Sequence, residues 1–149
     1  MARFFNMLFS TAIVAAMSVA ALPAGSDQNP EGIYFSYPTS TAKWHDGAKV
    51  YFSWRNAPVG NVQLSVVPAP NGPNVPPVIV AKKLVARIKN ENGQCDGGPE
   101  NPPCGRCTWE VYTGDPKKPF PTGSYRAELV VEGSNEKIYS DVFTIEADS

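Results

Sequence analysis

Few residues in this 149-residue chain are of a type that does chemistry, and their spacing limits what that chemistry can be. There is a single histidine, His45. A Ser-His-Asp triad would have to use it, yet no Gly-x-Ser-x-Gly elbow is there to present a nucleophile. Trp44-His45-Asp46-Gly47 reads as a turn before a strand, with no partner residues clustered around the imidazole. Glycoside hydrolysis needs two acids flanking one cleft. Glu110 and Glu128 instead fall on the outer faces of alternating segments, where solvated charge is the ordinary explanation. No Gly-rich loop follows a strand and opens a helix, as phosphate binding requires. The residues predict no catalytic group, no metal and no cofactor.

The three cysteines, Cys95, Cys104 and Cys107, share one Gly/Pro-rich stretch. A structural zinc site wants four Cys/His ligands in paired short spacings. Cys104-Gly-Arg-Cys107 offers one pair and Cys95 a third ligand, but His45 is far upstream. A thioredoxin-like role is disfavoured because that motif opens a helix in a βαβ setting. In an oxidising compartment the default is one disulfide, Cys95 with Cys104 or with Cys107, contributing roughly 2–3 kcal/mol by closing a short loop. The leftover thiol is then a candidate link between two chains.

Binding is the better class. Trp44, Tyr51 and Tyr112 are candidates for exposed aromatic surfaces that stack on sugar rings or fill a partner's pocket. The long loops Pro68–Pro77 and Cys95–Cys107 are the other natural contact surfaces, because a rigid sandwich positions its loops. Nucleic acid is excluded as a partner: 13 Lys plus Arg balance 14 Asp plus Glu, with no basic stripe.

The elements that must position these residues are short strands. Lys49 to Arg55 alternates, with Val50, Phe52 and Trp54 on one face. Asn61 to Val67 does the same with Val62, Leu64 and Val66, as does Tyr125 to Val131 with Tyr125, Ala127, Leu129 and Val131. Ile33–Tyr37 and Cys107–Tyr112 are shorter runs, the latter with Trp109 and Val111 inward. Lys137–Glu146 places Tyr139, Phe143 and Ile145 on one face, with Asp141 in phase unless a bulge near Ser140 resets it. Val78–Ile88 is ambiguous: its apolar spacing fits a helix, but its β-branched start favours one or two strands. About seven strands, punctuated by 15 Pro and 12 Gly, predict an all-β, two-sheet antiparallel β-sandwich of the immunoglobulin or fibronectin-III kind.

Residues 1–24 read as a cleaved secretory signal peptide, with Arg3, an apolar run to Ala21 and small residues before the break. Residues 25–31 read as a flexible leader and 32–149 as the sandwich domain. No second apolar stretch of spanning length and no apolar anchor tail occur, so the mature chain is expected outside the cell and off the membrane.

Several pieces carry a family resemblance over most of that domain. They are Tyr37-Pro38, Trp44, Val50-Tyr51-Phe52-Ser53-Trp54, Trp109, Pro121-Thr122-Gly123-Ser124-Tyr125 and Tyr139-Ser140-Asp141-Val142-Phe143-Thr144-Ile145. In this order they resemble the immunoglobulin-like N-terminal domain of yeast cell-wall β-1,6-glucan assembly proteins and of related fungal Ser/Thr-rich, lipid-anchored secreted proteins. The resemblance implies a sandwich fold, secretion and a wall setting. The Gly123-x-Tyr125 step is common to many sandwiches, where the tyrosine hydroxyl can tie a strand corner back to the backbone. The expected function is a secreted, non-catalytic fungal wall or matrix module, with cell-wall glucan or a wall protein as partner. The alternative is a small effector-like protein with a protein partner.

Overall fold

Alternation of apolar and polar residues makes each of these segments one-sided, and a one-sided strand is stable only when its apolar face meets another layer. In the computed structural model, which describes residues 32–89, 103–113, 115 and 117–147, that is what the strands do. The expected signal peptide, the leader and Cys95 lie outside the described residues.

Nine strands and no helix occupy the described residues. They are β1 (Tyr34–Tyr37), β2 (Lys43–His45), β3 (Lys49–Arg55), β4 (Asn61–Pro68), β5 (Val78–Val85), β6 (Cys104–Glu110), β7 (Gly123–Val131), β8 (Lys137–Tyr139) and β9 (Phe143–Glu146). A small sheet has the order β1-β3-β6, and a large one the order β2-β9-β7-β4-β5, with β8 on β7. The two-sheet sandwich expected from the sequence is therefore present.

Two strands exceed the expected seven. β2 is three residues long, too short for its alternation to register in the sequence. It pairs with β9 in parallel, whereas every other pairing among the described residues is antiparallel. The chain thus leaves the small sheet after β1, passes the cis Tyr37–Pro38 bond and joins the edge of the large sheet. The other extra strand comes from a split in the predicted Lys137–Glu146 strand. Buried Ser140 accepts the Ala127 N–H at 2.8 Å and donates to the Asp141 carbonyl at 2.7 Å, which diverts the chain. The phase resets there, so Ile138 packs on the core and Tyr139 faces outward, contrary to the sequence reading.

β5 resolves the ambiguous segment as a strand. Its register on β4 slips twice: Val66 pairs with Val78, Leu64 with Ala81 and Val62 with Leu84. The two bulges break the two-residue period, so Val78, Val80 and Leu84 pack on the core while Ile79 and Val85 are exposed.

Between the sheets, six aromatic rings form a closed circuit. Trp44 meets Phe52 at 5.5 Å, Phe52 meets Trp109 at 6.0 Å and Trp109 meets Phe120 at 5.7 Å. Phe120 meets Tyr125 at 5.2 Å, Tyr125 meets Phe143 at 6.4 Å, and Phe143 returns to Trp44 at 4.2 Å. Such contacts contribute about 0.5–1.5 kcal/mol each beyond the area they bury. The Tyr125 hydroxyl donates to the Pro121 carbonyl at 2.7 Å, a strand-corner tie common to many sandwiches. Trp54 is fully buried, and its indole N–H donates to the Ala86 carbonyl at 2.9 Å.

Candidate functional site

Trp44 leads the sequence-derived binding candidates, and the structure removes it from the surface. Pairing with Ile145 turns its ring into the interlayer, where it is only 4% exposed. Its indole N–H reaches the Tyr37 hydroxyl at 3.4 Å. Trp44 is a packing residue that anchors the short strand β2.

Tyr51 lies on the outer face of the small sheet. The register of β3 against β6 sets Lys49, Tyr51, Ser53 and Arg55 opposite Glu110, Thr108, Arg106 and Cys104, all facing away from the core. The Tyr51 ring stacks on Tyr37 at 4.5 Å, while the Arg106 guanidinium sits 4.1 Å from its centroid. Tyr37 comes from β1 and Arg106 from β6, on opposite sides of β3, so both ring faces are engaged. Tyr51 is therefore not an open stacking platform as the sequence suggested. It is the middle layer of a tyrosine–tyrosine–arginine stack, in which the cation–π contact adds roughly 0.5–1 kcal/mol. Lys49, Tyr51, Arg106, Thr108 and Glu110 line a shallow depression of about 540 Å³ on this face.

The groups around it are hydrogen-bonding ones. A guanidinium is a rigid fork of N–H donors, and the neighbouring hydroxyl, ammonium and carboxylate add further donors and acceptors. Repeated every second residue along a flat strand face, these groups suit a hydroxyl-rich ligand. Arg106 was absent from the sequence candidates. The signal that could have found it was its phase in β6 opposite Ser53, which depends on knowing that β6 begins at Cys104 and not at Cys107.

That earlier start also settles the relation between two cysteines. Residues three apart on a strand point to opposite faces. Cys104 lies on the outer face beside Arg55, fully buried and not a free thiol. Cys107 lies on the inner face opposite Phe52, packed against the core as a free thiol. The two therefore cannot serve as a paired metal-ligand spacing, and Cys95 with Cys107 is not the disulfide. Burial pushes the Cys107 thiol above its ordinary pKa, which lowers its thiolate fraction and its reactivity. A thiol in the interlayer is poorly placed to link two chains.

The remaining candidates are dispersed. Tyr112 follows the end of β6 and is 41% exposed, but it makes no ring contact with Tyr51. His45 points outward from β2, and Asp46 beside it accepts the Phe120 N–H at 3.0 Å, a structural tie. Glu110 and Glu128 face outward from different sheets, so they do not flank a common cleft; Glu128 pairs with Lys137 at 3.2 Å. Among the described residues no group of three or more His, Cys, Asp or Glu could hold a metal ion. The 68–77 loop packs inward through Gly72, where a Cβ would collide with the Ser124 carbonyl. Most of the cysteine loop lies outside the described residues. A second aromatic–cation contact, missed in the sequence through the phase error at Tyr139, places Arg126 3.7 Å over the Tyr139 ring on the large sheet's outer face.

Fold and site together define a β-sandwich module with a polar, arginine-stacked outer face. No family model matches the chain, and no curated protein matches it either. Among solved structures it is similar to the fibronectin(III)-like modules of Clostridium thermocellum CbhA, at 11% identity and a TM-score of 0.37. That similarity covers 78% of this chain and 94% of the other.

Proposed function

We propose that the protein is a secreted, non-catalytic fungal wall or extracellular-matrix module that binds polysaccharide or a wall protein through the outer face of its small sheet. The observation that carries this reading is the Tyr37–Tyr51–Arg106 stack, flanked by Lys49, Thr108 and Glu110 over one depression. The signal-like first 24 residues support secretion. In that compartment we assign the disulfide to Cys95 and Cys104, because Cys107 is the free thiol.

Retention of the protein on insoluble β-glucan and on chitin tests the reading. Arg106→Ala should reduce retention at least about tenfold, the equivalent of 1.4 kcal/mol. Trp44→Ala is unsuitable for this purpose, because it would act through the core. Wild-type protein in the flow-through from both matrices would favour the second reading, an effector-like protein with a protein partner. One observation supports that alternative: Val59 and Val85, 82% and 61% exposed, lie at one end of the sandwich, where Ala86 N–H binds the Gly60 carbonyl. Apolar side chains so exposed suit a protein contact.

A further inference from the structure

We infer that Arg126 and Tyr139, on the outer face of the large sheet, form a second ligand site, one that takes the carboxylate of an acidic sugar. The inference does not depend on the ligand of the small sheet. It begins from an unpaired donor. Arg126 is half-buried, and its Nε is buried with no hydrogen-bond partner. Its guanidinium lies 3.7 Å from the centroid of the Tyr139 ring. Buried polar groups are nearly always paired, so an orphaned N–H on a cation calls for a physical reason. The nearest carboxylate in sequence is Glu128, two residues along the same face of β7. Glu128 pairs instead with Lys137, at 3.2 Å. Among the described residues Arg126 joins no ion pair. An aromatic face holds this cation, and no anion does.

The register holds the group in place. Arg126 pairs with Val67 of β4, itself only 8% exposed, and Tyr139 of β8 pairs with Glu128. Strand and ring orient the guanidinium before any ligand arrives, which lowers the cost of binding. Gly32, Ile88 and Pro103, next to the two long stretches outside the described residues, gather around the turn at 56–60. Arg126 lies beside Val67, at the far end of β4 from that turn.

Charge selects the ligand. Arg126 and Glu128 stand about 7 Å apart along β7, a cation and then an acceptor. The guanidinium fork suits a carboxylate, which it meets with two parallel hydrogen bonds. A run of acidic residues or a doubly charged phosphate would bring more negative charge against Glu128. A hexuronic acid carries one carboxylate for Arg126 and hydroxyl donors on the same ring for Glu128. Tyr139, 37% exposed, adds aromatic surface for the C–H groups of the sugar.

Isothermal titration calorimetry of the purified chain with trigalacturonate, at low ionic strength, tests this. Triglutamate and inorganic phosphate are the competing ligands. Trigalacturonate should bind with a Kd of about 1 mM or tighter, and more tightly than either. Arg126→Gln should weaken it at least about tenfold, and Arg126→Lys, which keeps the charge but not the fork, about threefold. If Arg126→Gln does not fold, Tyr139→Leu decides the matter: removing the ring that orients the guanidinium should weaken binding about threefold. No binding of trigalacturonate, binding unchanged by these substitutions, or triglutamate or phosphate binding as tightly would each overturn the inference.

Discussion

Among the described residues, strands β5 and β6 each end a sheet, and they end it differently. β5 meets β4 through two bulges and presents Lys82 and Lys83 to solvent. Bulges and lysines are the usual means of keeping an edge from pairing with another chain. β6 meets β3 through an unbroken ladder and carries an arginine, a threonine and a glutamate on its outer face. The regularity of β6 depends on one residue. Gly105 sits opposite Trp54, whose indole occupies the space a Cβ would need. The large sheet's other edge, β2, is protected by brevity and anchored by Trp44. Among the described residues, one sheet thus ends in a bulged strand and a three-residue strand, while the other ends in an unbroken one beside the tyrosine–arginine stack.

This comparison can be broken by substitution. The largest effect is expected from Trp44→Ala, which opens the aromatic circuit and releases β2; it should cost about 4 kcal/mol in urea unfolding. Gly105→Ala should cost about 3 kcal/mol, because the new methyl meets the Trp54 ring and the Ala86 carbonyl and β6 can no longer lie flat. A matched Gly133→Ala at the exposed turn after β7 is the control; its φ of 83° disfavours a side chain, but there is no clash, so the loss should be about 1 kcal/mol.

Tyr125→Phe should cost about 1 kcal/mol through the lost bond to Pro121. It should also change the alkaline limb of stability. Burial pushes the Tyr125 hydroxyl up to about 12. The unfolded chain ionises this group first, near pH 10. Its contribution is therefore intact below pH 10 and is lost as pH rises toward 12, a slope that the phenylalanine variant should lack. The smallest stability effect belongs to Lys82→Thr with Lys83→Thr, within about 0.5 kcal/mol. Its consequence should instead be self-association through β5, seen by light scattering, because the charged guard of that edge is gone.

The same contrast explains how much was legible beforehand. β3, β4 and β7 alternate without interruption, so their inward residues Phe52, Trp54, Leu64 and Leu129 could be read directly. β5 is ambiguous in sequence because its two bulges break the period, spacing the core-packed Val78, Val80 and Leu84 by two and then four residues. Alternation alone turns Tyr139 inward, but Ser140 resets the phase through hydrogen bonds that no such pattern records. The burial of Trp44 is not legible because a three-residue parallel strand leaves no periodic trace and its partner β9 is distant in sequence. The site was half legible. Tyr51 was named, but its partners Tyr37 and Arg106 meet it only through the register of three strands that are separate in sequence.

Binding of a partner on the outer face of the small sheet, as proposed, can be mapped by amide chemical shifts during titration with a soluble β-1,6-linked glucan oligosaccharide. The shifts should cluster at Tyr51, Arg106, Thr108 and Glu110. Shifts confined to Val59, Val85 and the opposite sheet, with those four residues unmoved, would contradict it.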